Sequence, residues 1–147
     1  MRRAFAILGL ALSMALASCV SDPYGDPFPG YDVRVILKEE GSASARWPAP
    51  WARGARFVVE NRTGLPVETI LLDLGGKGAP RELVEVVVED PAGVPATILP
   101  SPQGSFPLRA RIGDPGTVIL EPGASLVLRV RVLGTPGKAV ARFDVPR

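Results

Sequence analysis

From residue 32 onward the chain alternates apolar and polar positions with a period of two, and almost no other period is present. "DVRVILKEE" sets Val33, Val35 and Leu37 on one face with Arg34 and Lys38 opposite. "RFVVEN" reads as a short strand ended by Asn61, and "VETILLDL" places Ile70, Leu72 and Leu74 together. "ELVEVVVED" alternates Val84, Val86 and Val88 against Glu85 and Glu89. "ATILP" and "TVILEPG" are short runs, the first stopped by Pro100. "FPLRARI" sets Phe106, Leu108, Ala110 and Ile112 against Arg109 and Arg111. "SLVLRVRVL" turns Leu126, Leu128, Val130 and Val132 inward, with Arg129 and Arg131 outward. "KAVARFDV" closes the series with Ala141, Phe143 and Val145.

Between these runs stand "NRTGLP", "GGKGAP", "DPAGVP", "GDPG" and "GTPG", which are turn chemistry. Pro and Gly recur too often for any helix of useful length. The pattern predicts an all-β fold of seven to nine strands at the spacing of a β-sandwich. One apolar and one charged face per strand means antiparallel sheets, each with a solvated side. Two such sheets stacked ~10 Å apart would bury the Val, Leu, Ile and Phe positions. An antiparallel barrel is the alternative way to close them.

The front of the chain has a different pattern. Arg2 and Arg3 precede an uncharged apolar run from Ala4 to Ala17, too short for the ~20 residues of a membrane span and suited to a signal-peptide core. Ala15 and Ala17 fit an ordinary A-x-A cleavage site. The stretch Leu16-Ala17-Ser18-Cys19 also resembles the lipobox of bacterial lipoproteins. That resemblance implies a diacylglycerol on the Cys19 thiol, cleavage before Cys19 and acylation of the new amino group. Two or three acyl chains, at ~0.8 kcal/mol per buried CH₂, make a durable anchor. The expected organisation is therefore a signal peptide over residues 1–18, a lipidated terminus and linker over 19–31, and a sandwich domain over 32–147. The linker, "VSDPYGDPFPGY", is rich in Pro and Gly and punctuated by Tyr24, Phe28 and Tyr31. These aromatics either pin the linker to the domain or sit at the membrane interface.

Charge changes the picture once the signal is set aside. The full chain has 17 Lys+Arg and 15 Asp+Glu. Arg2 and Arg3 leave with the signal, so 15 of each remain from Cys19 onward and the basic pI loses its meaning. Nucleic acid is not an expected partner. Cys19 is the one cysteine, so no internal disulfide can form and packing must supply stability. Asn61 and Gln103 are the only carboxamides, and 16 prolines are present. Few thermolabile residues and many prolines match a thermophilic composition.

"FVVENRTGLPVETI" followed later by "VILEPGASLVLRVRV" resembles the strand–turn–strand phrases of immunoglobulin-like modules in bacterial envelope proteins. The two turns are Asn61 to Pro66 and Leu120 to Ser125, and the likeness covers roughly residues 56 to 145. It implies an immunoglobulin-like sandwich of the kind carried by small envelope lipoproteins, and it says little about activity.

Enzyme chemistry finds few footholds. With no His in the chain there is no His-dependent triad, and an acylated Cys19 is no nucleophile. Zinc and copper sites lack imidazole and thiolate, and no cofactor or metal is expected. "GGKG" lacks the frame of a phosphate loop and reads as a hairpin turn. Glu39–Glu40 and Glu89–Asp90 are chain neighbours and face opposite sides of a strand. Asn61-Arg62-Thr63 matches a glycosylation sequon and is read as a turn.

The stretch "ARWPAPWARGAR" holds the candidate binding residues. Trp47 and Trp51 would form an aromatic platform for sugar rings or a partner's side chains, with Arg46, Arg53 and Arg56 pairing anionic groups. The competing reading makes the indoles caps on an open end of the sandwich. Arg109, Arg111, Arg129 and Arg131 would form a basic stripe if their strands are close, or be balanced by Glu85 and Glu89 across strands. The expected protein is a non-enzymatic lipoprotein of the cell envelope, held by the membrane through Cys19. Enterobacterial lipoproteins kept in the inner membrane carry Asp after the cysteine, so by that resemblance Val20 implies the outer-membrane system; inner and outer membrane both stay open. The protein's expected role is accessory subunit of an envelope complex, with strand addition at a sheet edge as the way of joining. A cell-wall glycan module using Trp47 and Trp51 is the alternative, and a carboxylate hydrolase is the enzyme-class reading.

Overall fold

The structure is a computed structural model and describes residues 32–101 and 107–146. Cys19, Tyr24, Phe28, Tyr31 and Phe106 lie outside the described residues. Nine strands form: β1 (Asp32–Leu37), β2 (Ser42–Arg46), β3 (Gly54–Asn61), β4 (Ile70–Gly75), β5 (Glu82–Asp90), β6 (Ala96–Ile98), β7 (Arg109–Ile112), β8 (Ser125–Leu133) and β9 (Val140–Asp144). They make two sheets, the first ordered β1-β3-β8-β5 and the second β2-β9-β4-β7-β6. No helix occurs among the described residues. The expected all-β sandwich is therefore what the described residues form, with nine strands.

The period-two pattern explains the core. Leu37, Phe57, Val59, Leu72, Ile112, Leu128, Val130 and Phe143 are buried between the sheets, as are Ile70, Leu74 and Leu126. Burying each such side chain stabilises the fold by roughly 1.5–3 kcal/mol relative to exposure. Phe57 of the first sheet meets Phe143 of the second edge to face, with ring centroids 5.3 Å apart. That geometry is the one aromatic quadrupoles favour.

Four local expectations need correction. Val84 is half-exposed (53%), and Leu83 is the buried residue instead (2%). A register shift between Leu83 and Glu85 against β8 inserts one residue, and that reverses the facing of the strand's start. The sheets are also not purely antiparallel, because β1 pairs with β3 in parallel. The chain between them crosses to the second sheet as β2, and such a crossover is what parallel pairing requires. "TVIL" forms no strand and contributes an isolated bridge between Leu120 and Val67. Finally, β2, "SASAR", has no counterpart among the expected strands.

The sandwich has two ends, fixed by these registers. At the entry end, where the chain arrives at Asp32, lie the segments 47–53, 76–81 and 134–139, and the described ends of the β6–β7 connection, 99–101 and 107–108. At the far end lie 38–41, 61–69, 91–95 and 113–124. Asn61 holds the far end together. Its side chain is fully buried, and its Nδ2 donates to the carbonyls of Leu65 (2.8 Å) and Leu120 (3.0 Å). Its Oδ1 accepts from the Thr63 amide (3.0 Å) and hydroxyl (2.7 Å). Both donors and both acceptor positions of the carboxamide are used. The sequon asparagine is thus an internal hydrogen-bonding group. Gly113 closes the same end at φ +82°, where a Cβ would collide with the Glu68 carbonyl oxygen.

Asn61→Asp keeps the shape and replaces a double donor with a second acceptor against two buried carbonyls. It should lower unfolding free energy by about 3–5 kcal/mol, since a buried group stripped of its partner is costly. Denaturant titration with an unchanged m-value checks this.

Candidate functional site

The segment after β2 carries the residues singled out by sequence, and the structure separates them. The Trp47 indole is buried (5% exposed), and its Nε1 donates to the Ala52 carbonyl at 2.6 Å. Its ring meets Phe57 edge to face at 5.9 Å, extending the aromatic contact between the sheets into the entry-end loops. The Trp47 amide donates to Ala139 (2.9 Å), and Gly137 donates to Pro50 (2.9 Å). The ring thus caps the core, while the backbone ties segments 47–53 and 134–139 together. Trp51 points to solvent, 71% exposed. Arg46 and Arg53 are exposed at the same end. Arg56 is elsewhere, half-buried on the outer face of the first sheet. The two indoles therefore do not form a paired platform.

The outer face of the first sheet is a closed ladder of charge. Arg56 meets Glu89 at 3.0 Å and Asp32 at 3.8 Å. Arg129 meets Glu85 at 3.2 Å and Glu89 at 3.5 Å, and Arg131 meets Glu85 at 3.7 Å. The ladder crosses all four strands. Arg109 and Arg111 belong to the second sheet, beside Asp73 (3.9 Å) and Asp114 (3.4 Å). The four arginines therefore make no stripe, and the carboxylates expected to balance Arg129 and Arg131 do so.

The sheet edges differ in how they are defended. β5 is bulged twice against β8. β6 is three residues long and bounded by Pro95 and Pro100. β1 carries Asp32 and Arg34 on its outer face. Short strands, bulges, prolines and charges all obstruct edge pairing. β2 has none of these along Ser42 to Ala45 and pairs with β9 without a register shift. The Gly41–Val145 and Trp47–Ala139 contacts fix the phase of that ladder. Ala43 and Ala45 then spend their amides and carbonyls on β9. The backbone groups of Ser42 and Ser44 point the other way, and no described residue bonds them.

Beside this edge the second sheet's outer face is hollow. An open depression of about 460 Å³ is lined by Ser42, Ala43, Ser44, Val140 and Arg142. A second, about 260 Å³, continues past Val140 and Arg142 to Asp73, Gly75 and Gly76. Small residues on β2 and glycines at the end of β4 leave the space. Sequence reasoning passed over this site because Ser and Ala give no hydrophobic contrast. The alternation Ser-Ala-Ser-Ala was the signal available. Among the described residues no group of His, Cys, Asp or Glu could hold a metal ion, and no helix is long and apolar enough to cross a membrane.

Trp47→Ala should cost about 3–5 kcal/mol of stability, as truncation of a core aromatic does. Trp51→Ala should stay within about 0.5 kcal/mol of the parent. Chemical denaturation of both variants checks the division of labour. Comparison with protein-family models, with curated proteins and with solved structures finds no match to this chain.

Proposed function

We propose that this chain is a non-enzymatic lipoprotein of the cell envelope that acts as an accessory subunit, taking a strand from its partner along the open side of β2. The observation that carries this reading is the edge itself. It is a bulge-free strand of small residues whose Ser42 and Ser44 backbone groups face away from β9. Main-chain hydrogen bonds supply affinity in strand addition, and pockets for alternate side chains supply selectivity. The depression beside Ser42 and Ser44 offers such a pocket. Lipidation at Cys19 rests on the Leu16-Ala17-Ser18-Cys19 sequence.

The glycan-binding reading is weaker, because it needs two accessible rings and Trp47 is buried. Trp51 alone, with Arg46 and Arg53 nearby, would have to carry it.

The test uses the full chain, tagged and crosslinked in native envelopes, with mass spectrometry of the captured species. One dominant protein partner is expected. Ser44→Pro removes an amide that β9 does not use, so it should abolish capture while stability stays within about 1 kcal/mol. Ala43→Pro, which breaks the bond to β9, should destabilise the fold by about 3 kcal/mol. Capture that survives Ser44→Pro overturns the edge reading. Capture of cell-wall fragments only, lost in Trp51→Ala, replaces it with glycan binding.

A further inference from the structure

The charges that cancel in the sum are separated in space. The entry end exposes Arg46, Arg53, Lys77, Arg81 and Lys138. None of these five forms an ion pair among the described residues. Among the described residues only Asp32 and Glu82 oppose them there, and Asp32 is engaged with Arg56. The far end exposes Glu39, Glu40, Glu68, Asp90, Asp114 and Glu121, against Lys38, Arg62 and Arg111, the last paired with Asp114. Arg62 is itself paired with Glu60 at 2.9 Å. The domain is therefore an electric dipole along the strand direction, positive at the end where the chain enters.

Three of the entry-end loops, 47–53, 76–81 and 134–139, form one surface. Gly137 donates to Pro50, Arg81 donates to Leu133, and Val132 donates to Arg53. Gly78 and Gly137 lie so close that a Cβ on either would touch the other's backbone. The five cations are thus carried by segments bonded to each other or to the adjacent end of β8. Trp51 projects from this surface at 71% exposure, and Leu133 is also exposed (44%). The far end exposes Leu65 and Val118, but among carboxylates.

We infer that the entry end docks directly on an anionic lipid surface, with Trp51 seated at the headgroup level and the five cations around it. This inference rests on the lipid-anchor reading, since Cys19 stands thirteen positions before Asp32 and tethers the domain by this end of its chain. Three physical terms agree. An indole is amphipathic and favours the bilayer interface. Each Lys or Arg near an anionic leaflet adds attraction that decays within a Debye length. The acidic far end is repelled and turns outward. The lipid on Cys19 supplies high local concentration, so a weak patch suffices.

The test uses the full chain bound to vesicles of phosphatidylcholine alone or with added phosphatidylglycerol. Two readouts are taken, co-flotation and quenching of tryptophan emission by lipids brominated on the upper acyl chain. Trp51→Phe leaves only buried Trp47 and sets the baseline. Quenching above that baseline on the anionic vesicles, lost in high salt and in the Lys77→Glu/Lys138→Glu variant, is expected. Loss of two lysine contacts of ~1 kcal/mol each makes the docked state about thirtyfold less populated, and reversal to Glu lowers it further. Flotation with Trp51 no more quenched than the baseline overturns docking and leaves the anchor standing. Failure to float on either vesicle overturns both. Equal quenching on neutral vesicles overturns the electrostatic basis.

Discussion

The far end of the sandwich depends on one buried carboxamide. Asn61 ends β3, and from there its side chain reaches the turn that follows and the segment that precedes β8. β3 and β8 are neighbours in the first sheet, while Val67, bridged to Leu120, leads into β4 of the second. Its backbone adds to this, since Asn61 donates to Ala124 and accepts from Gly123. Few other side chains could do this. A carboxylate has no donor, a hydroxyl reaches fewer partners, and an apolar residue would leave the Leu65 carbonyl without this donor. Two crossings between the sheets thus share a single carboxamide anchor at the edge of a largely apolar core. The entry end uses a different device, an aromatic series from Trp47 through Phe57 to Phe143.

How much of this was legible in the sequence follows from how each feature is encoded. Strands with one apolar and one charged face, such as β8, announce both their existence and their orientation. Val84 could not be placed from alternation, because a bulge adds a residue without any mark in composition. β2 was hidden for the opposite reason, since Ser and Ala differ too little in polarity to show a face. The parallel pairing of β1 depends on which sheet β2 joins, a tertiary choice that no local pattern records. The lone asparagine was visible as a turn residue. Its role inside the core needed the chain around it.

The candidate sites show the same division. Two tryptophans four positions apart are equivalent on paper, yet one caps the core and the other faces solvent. The neighbouring prolines and the bond from Trp47 Nε1 to Ala52 turn the chain between them. The arginines sorted themselves by sheet. Those on β3 and β8 face carboxylates on β1 and β5 and are consumed in a ladder, whereas those in the entry-end loops have no facing strand. Carboxylates that would balance the loop cations sit at the other end. A neutral composition therefore hides a polarised molecule, and net charge alone excludes less than it first suggests.

The proposed edge and the proposed docking end constrain each other. Strands of the sandwich run from the entry end to the far end, so a strand added to β2 would run along the same axis. On a domain seated by its entry end, that axis stands away from the lipid surface. A partner strand would then approach from the side, with its own chain leading outward past the acidic far end. Arg46 sits where the two surfaces meet, at the last position of β2. A partner with acidic residues on the strand that fills the depression would meet an Arg142 already paired with Asp144 at 3.1 Å and be repelled by the lipid below. A partner with basic residues there would compete with the domain for the same headgroups. The geometry thus favours an uncharged strand, with the proposed lipid contact and partner contact compatible on one small domain.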